Sequence, residues 1–328
     1  VGLRAAVPQR RIKEKALLES RQFLIARRLT LKLNTHNPMT KILVTGANGQ
    51  VGRELQVLAA QRSDVQFIFT NRTLLDITNG DAVEKFFNEQ QPDYCINCAA
   101  YTAVDKAETE TDLAKAVNVT AVQHLAAQCH KHGAPFIHFS TDYVYHNGLN
   151  RPLREDDPTE PKGVYAQTKL DGEKAALEAH DHSMIVRTSW LYSTFGHNFV
   201  KTMLRLGGER DRLTVVFDQI GSPTYARSLA AAMLKVIQLH QLGTVPREKW
   251  HGIYHYSNEG VCSWYDFAKA AIDARGLDCE VLPIETKDFP TPAQRPPFSL
   301  LNKAKFKAAF GLAIPHWKDD LKTMLERL

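Results

Sequence analysis

A short apolar run, Lys41-Ile42-Leu43-Val44, leads into Thr45-Gly46-Ala47-Asn48-Gly49-Gln50-Val51-Gly52, and a helix-forming stretch follows. No other passage restricts the fold as strongly. A strand that turns through glycines into a helix is the opening unit of a parallel α/β sheet. Gly46 permits the tight turn, Gly49 lets the backbone approach a diphosphate, and Gly52 lets the helix pack closely on the sheet. Gln50 and Val51 open the helix, where unpaired N–H groups make a ready anion site. The GxxGxxG spacing departs from the GxGxxG of ordinary dinucleotide fingerprints, so the strand–turn–helix context carries the reading.

The pattern then repeats. Apolar runs at 41–45, 65–70, 93–97, 135–140 and 184–188 read as strands, with helical stretches at 50–61, 81–89, 113–132 and from 165. Continuous apolar strands alternating with helices predict an α/β fold, a Rossmann-type doubly wound parallel sheet covered on both faces. Beyond Trp190, Pro and Gly punctuate shorter elements, as in Phe289-Pro290-Thr291-Pro292. Helices at 227–242, 264–274 and 317–327 and strands at 214–217 and 280–284 predict a smaller mixed C-terminal lobe. The expected division is a dinucleotide-binding domain over 39–189 and a mainly substrate-binding lobe over 190–328, with about 213–245 returning to the first domain.

Within that frame Tyr165 and Lys169 stand four apart, so on a helix they share one face. A free phenol, with a pKa of about 10, carries protons poorly at neutral pH; a nearby ammonium lowers that barrier and suits acid/base work. Other candidates fall at the carboxyl ends of strands, where open α/β sheets bind ligands. After the second strand comes Arg72 instead of a carboxylate, which favours a 2′-phosphate and hence NADPH over NADH, and Asp76-Ile77 suit an adenine pocket. The small Ala99 and Ala100, with Tyr101, let a cofactor lie against the backbone. Either Ser140 or Thr141 is placed to hydrogen-bond a substrate carbonyl.

Composition closes off other classes. The 328 residues are 44% hydrophobic and 23% charged, and no apolar run approaches the roughly 20 residues of a membrane helix. The formal net charge of +5 is misleading, because residues 1–38 carry nine Lys/Arg against Glu14 and Glu19, or +7, leaving −2 on the remainder. The body therefore offers nothing to nucleic acid. We expect the basic leader to lie outside the fold and Met39 to be the native start. The five cysteines show no regular spacing, and Cys95 and Cys98 on one strand point to opposite faces, so buried thiols in a reducing, cytoplasmic compartment are expected. The 13 histidines include no pair at metal-ligand spacing, and His130 and His132 do not share a helix face, so no catalytic metal is expected.

Further passages add up to a resemblance: Gly49–Gln56, Leu75-Asp76-Ile77-Thr78, Tyr101–Glu108, Ser140–Val144, Arg187-Thr188-Ser189-Trp190, Asp218–Thr224 and Arg295-Pro296. From about Lys41 to Glu326 the chain resembles the extended short-chain dehydrogenase/reductases, in particular those that reduce 4-ketosugars carried on nucleotides. The resemblance implies reduction of the C4 ketone of dTDP-4-dehydro-L-rhamnose by NADPH or NADH. Tyr165 would donate the proton, Lys169 would be its electrostatic partner and ribose anchor, and Thr141 would tune the carbonyl. Asp142 and Trp190 would meet the sugar, and Asn198 and Arg295 the diphosphate. Some members hold Mg2+ at a homodimer contact through glutamates; Glu54 and Glu326 match such positions, with Glu209 near a third. A 4-epimerase, a 4,6-dehydratase and a non-catalytic NADP-binding regulatory subunit are the alternatives. Dehydratases of the class carry an Asp-Glu pair after the threonine, whereas here Asp142 is followed by Tyr143.

Overall fold

Ile42, Leu43 and Val44 are all buried, so strand β1 (Thr40–Thr45) is covered on both faces, as a continuous apolar run requires. The computed structural model describes residues 39–328; the leader, and with it the expectation about Met39, lies outside the described residues. In chain order the main elements are β1, α1 (Gln50–Ala59), β2 (Val65–Phe69), α2 (Gly80–Gln90), β3 (Tyr94–Asn97), α3 (Ala121–His132), β4 (Phe136–Thr141), α4 (Gly163–Ala179) and β5 (Ser183–Thr188). They are followed by α5 (Phe199–Glu209), α6 (Ala226–Gln241), β6 (Gly252–His255), α7 (Trp264–Ala274) and α8 (Trp317–Leu325).

The six strands form one sheet in the order β6-β5-β4-β3-β1-β2, with every neighbouring pair parallel. Side chains alternate between the two cores. Ile42 and Val44 pack with Leu55 of α1 and Leu229, Met233 and Val236 of α6, while Leu43 and Cys95 face Val83, Phe87 and Leu125 of α2 and α3. Each such fully buried aliphatic side chain stabilises the fold by about 1.5–3 kcal/mol. β1 lies between β2 and β3, so the chain runs outward on both sides of it. That makes the crevice beyond β1 and β3 the topological switch point.

Two elements differ from the sequence expectation. The helix predicted over 113–132 is broken by a π turn at Ala116–Thr120 between Thr111–Lys115 and α3. The wider turn pushes the Asn118 carbonyl against α4 at Gly172, where a Cβ would stand 2.0 Å from that oxygen. Arg212–Val216, placed on sequence with the returning segment, instead pairs in parallel with Glu280–Ile284. Its Leu213 and Val215 have their apolar partners there, in Ala268, Ile272 and Val281. The chain rejoins the sheet layer through α6, packed on α1, and then through β6. All five cysteines are free thiols, and no helix among the described residues is long and apolar enough to cross a membrane.

One polar contact crosses the layers. Glu173 of α4 and Arg187 of β5, 1% and 2% exposed, form a forked ion pair with Nε–Oε1 2.9 Å and Nη2–Oε2 2.5 Å. The Ser140 hydroxyl donates to the same carboxylate, and Arg187 donates to the Tyr145 hydroxyl. Arg187→Met leaves a buried carboxylate uncompensated and should cost about 3–5 kcal/mol in urea denaturation. Adding Glu173→Gln, which removes the stranded charge, should recover much of that loss. A double variant no better than the single one would show that the pair is not the source of the cost.

Candidate active site

The turn after β1 needs its glycines for close approach. Gly46 has φ +64, and a Cβ there would lie 2.5 Å from the Ala99 amide nitrogen; at Gly52 it would lie 2.5 Å from the Gly46 carbonyl oxygen. Backbone is thus packed on backbone at the switch point. The N-terminus of α1 carries no side-chain cap and no acidic residue in its first turn, so it stays open to an anion. A cleft of about 370 Å³ runs from it, lined by Gly46, Gly49, Arg72, Asp76, Ile77, Ala99, Ala100 and Tyr101. The structure therefore gathers most of the residues picked from three separate strand ends into one groove. Gln50 and Val51 stand at the mouth of α1, with Val51 buried. Arg72 is exposed at the rim. The Asp76 carboxylate accepts from Thr78 Oγ1 at 2.7 Å and Thr78 N at 3.0 Å, and these bonds hold its pKa below the usual carboxylate range. An open helix end, a glycine cradle and a cationic rim fit a dinucleotide.

At the same sheet edge, β4 ends in Ser140-Thr141 and α4 brings in Tyr165 and Lys169. Strand alternation sends the Ser140 and Thr141 side chains to opposite faces. Ser140 points to Glu173, whereas the Thr141 hydroxyl lies beside the Tyr165 phenol and within 3.1 Å of Asp142 Oδ1. Lys169 is buried and donates to the Phe139 carbonyl at 2.6 Å, with His138 Nε2 at 3.3 Å. Burial lowers its pKa to about 8 against the pull of Glu173. Tyr165 is half-buried, and desolvation pushes its phenol up to about 12, opposed by the Thr141 hydrogen bond. The sequence led us to expect the ammonium to hold the phenol low. In the chain alone burial wins, because Lys169 is turned to the Phe139 carbonyl. Tyr143 packs edge-on against Tyr165, ring centroids 5.6 Å apart.

The remaining candidates fall into separate neighbourhoods. Trp190, at the unusual φ of +48, stacks face to face on Trp264 at 3.8 Å and packs against Gly221. Asn198 caps α5, accepting from Lys201 N, and donates to Gln50 Oε1 at 3.1 Å, beside the glycine turn. Arg295 grips Asp105 with two nitrogens, at 3.2 and 2.9 Å, pinning the Pro-rich segment. Within the single chain Glu54, Glu209 and Glu326 stand apart, each with its own cationic neighbours. Glu54 is fully buried, accepting from Ser193 Oγ at 2.7 Å and facing Arg227 and Arg327 at 3.3 and 3.5 Å. Glu326 is exposed, within reach of Lys322, and Glu209 pairs with Arg205. The one buried carboxylate among them is paired with two arginines.

Three contributors were missed from sequence. Asn118 accepts from Tyr101 N at 2.9 Å and donates to Thr168 Oγ1 at 3.2 Å, joining the cleft loop to α4. Its signal, a π turn within a helical run, has no periodicity to announce it. Trp264 and Asp105 become visible only through the Trp190 and Arg295 they meet.

Parallel sheet, glycine turn at the switch point and a Tyr/Lys pair over the central strand define the class, a Rossmann-type short-chain dehydrogenase/reductase. Residues 39–328 match the model for the RmlD substrate binding domain. The dTDP-4-dehydrorhamnose reductase of Aggregatibacter actinomycetemcomitans is 40% identical, over 87% of this chain and 98% of that protein. A crystal structure of a dTDP-4-dehydrorhamnose reductase from Clostridium acetobutylicum is 43% identical with TM-score 0.82, covering 88% of this chain and 99% of that one. That of Bacillus anthracis, in complex with NADP, is 37% identical with TM-score 0.83, covering 89% and 100%. The chain belongs to the RmlD substrate-binding-domain family, together with these dTDP-4-dehydrorhamnose reductases.

Asp142 offers a test of the site's electrostatics. It is 2% exposed, and burial raises its pKa to about 6 against the opposing contacts of the Ser299 and Thr141 hydroxyls. Between its ordinary value of 3.8 and about 6 the folded chain holds a proton that the unfolded chain has lost, so stability falls as pH rises through that window. Asp142→Asn should remove this loss, gaining up to about 3 kcal/mol over wild type at neutral pH and nothing near pH 3. Urea denaturation at the two pH values measures it; an equal shift at both would refute the assignment.

Proposed function

We propose that this chain reduces the C4 ketone of dTDP-4-dehydro-L-rhamnose to dTDP-L-rhamnose with NADPH. The observation that carries the reading is the convergence of Thr141, Tyr165 and Lys169 at the carboxyl end of β4, on the same edge as the diphosphate-sized cleft. The names of its relatives, and the NADP held by the Bacillus anthracis protein, support the substrate and the cofactor.

The geometry supports the following residue roles. Gly46, Gly49 and Gly52 give the diphosphate its approach, with Gln50 and Val51 at the helix end. Asp76 and Ile77 border the adenine, Ala99, Ala100 and Tyr101 border the ribose side, and Arg72 takes the 2′-phosphate. Bound NADPH supplies the hydride. A donor must be protonated when the carbonyl is reduced, and a phenol raised to about 12 stays loaded at neutral pH. Its proton passes to the C4 oxygen as negative charge develops there. The phenolate left behind is stabilised by Thr141 and by Lys169, which at about 8 is still mostly charged at neutral pH. Asp142 and the Trp190–Trp264 stack form the sugar wall. Asn198 and the Arg295 donors not used on Asp105 complete the diphosphate contacts. Tyr143 puts a phenol where a dehydratase needs a carboxylate, which argues against water elimination. The free thiols suit a reducing cytoplasm.

NADPH oxidation with dTDP-4-dehydro-L-rhamnose, its product identified by NMR, tests the reading; no turnover would sink it. Tyr165→Phe should keep NADPH affinity while kcat falls about a hundredfold to ten-thousandfold. Arg72→Ala should raise KM for NADPH about tenfold or more and leave that for NADH nearly unchanged. Equal effects on both cofactors would remove Arg72 from the 2′-phosphate.

A further inference from the structure

α3 and α4 run into β4 and β5, so both helices end at the amino edge of the sheet, on the side away from the candidate active site. Their ends bring together three side chains far apart in sequence. His180 Nδ1 lies 3.4 Å from His130 Nδ1 and 3.4 Å from Asp181 Oδ1, and His130 Nδ1 lies 3.8 Å from that oxygen. We propose that these three side chains bind a divalent transition-metal cation, zinc in the first instance. This site is independent of the proposed reductase reading.

The spacing is the first argument. Zinc bonds to imidazole and carboxylate of about 2.0–2.1 Å in a tetrahedron set the donors about 3.3–3.4 Å apart. Two edges of the triangle match, and the third closes by a rotation of the exposed His130 or Asp181 side chain, 62% and 68% exposed. The second argument is the tautomer. His180 is 3% exposed, and its Nε2 faces the Ala134 carbonyl at 3.1 Å, so Nε2 carries the hydrogen and Nδ1 presents a lone pair. A ligating histidine is ordinarily oriented in this way, by donating its other N–H to a carbonyl. That lone pair faces the Asp181 carboxylate and His130 Nδ1, each at 3.4 Å.

The third argument is the field. The C-terminal ends of two helices, of 12 and 17 residues, lie beside the three side chains, and the partial negative charge of a helix C-terminus favours a cation. Two imidazoles and one carboxylate select zinc over magnesium or calcium, which prefer all-oxygen sets. Three protein donors leave the fourth position to water. Bound there, the ion would staple α3 to α4, the helix that carries Tyr165 and Lys169. Without an ion, the same three residues would form only a hydrogen-bonded surface cluster.

Calorimetric titration of the untagged, chelator-treated full chain with zinc chloride at neutral pH separates the two. One saturable zinc per chain is expected, accompanied by a rise in Tm. His130→Ala and Asp181→Asn alter exposed side chains and should each weaken binding by about tenfold or more and abolish the rise in Tm. Cobalt in place of zinc should give the visible absorption of a tetrahedral site in wild type and lose it in His130→Ala. Absence of saturable binding, or zinc affinity unchanged in both variants, would overturn the proposal.

Discussion

The buried pair of Glu173 and Arg187 decides where the chemistry stands. It joins the helix that carries Tyr165 and Lys169 to the strand beside β4, and takes in Ser140 on one side and Tyr145 on the other. Tyr145 in turn donates to the Arg154 carbonyl at 2.8 Å and meets His255 of β6 at 2.9 Å. A charge pair in the interior gains little net stability, because desolvation offsets its attraction. Its consequence here is positional. Sliding α4 by one turn along the sheet would strand both charges, so the register of the phenol against Thr141 is held by an electrostatic penalty as well as by packing.

The same burial that fixes the site sets its proton inventory. Desolvation raises the Tyr165 phenol and lowers the Lys169 ammonium, bringing their pKa values to about 12 and about 8. A donor that holds its proton, beside a cation that readily gives one up, leaves the pair poised for transfer once a developing alkoxide supplies the driving force. Glu173 pulls Lys169 back towards the charged form, so the ion pair also moderates the electrostatics of the group it positions.

The sheet, its glycine turn and the residues at the strand ends were legible in the sequence because each rests on local pattern. Apolar runs announce β1, β3 and β5, and glycine tolerates the approaches at positions 46 and 52. What could not be read was contact across the chain. Arg295 was matched to a diphosphate, but nothing local shows that Asp105 already holds it. The π turn at Asn118 arises from the meeting of two helices at Gly172. His130 and His180, 50 residues apart, share no motif and meet only because two helices end together. Local pattern alone left Ser140 and Thr141 equivalent, resemblance favoured Thr141, and the pleat of one strand sends the two hydroxyls to different partners.

Glu54 shows how a residue can matter at a recognised position for a different reason. On α1, one turn beyond the glycine cradle, its carboxylate gathers Ser193, Arg227 and Arg327, three segments of the later half of the chain. Asn198 adds a bond to Gln50 on the same helix, and Arg327 donates to Tyr225. The helix whose N-terminus is open to a diphosphate is therefore also the one on which the second lobe is seated. A small rotation of α1 on filling the cleft would be felt at Ser193, three residues past Trp190. This gives the Trp190 neighbourhood and the glycine turn a shared mechanical support made of arginine and carboxylate.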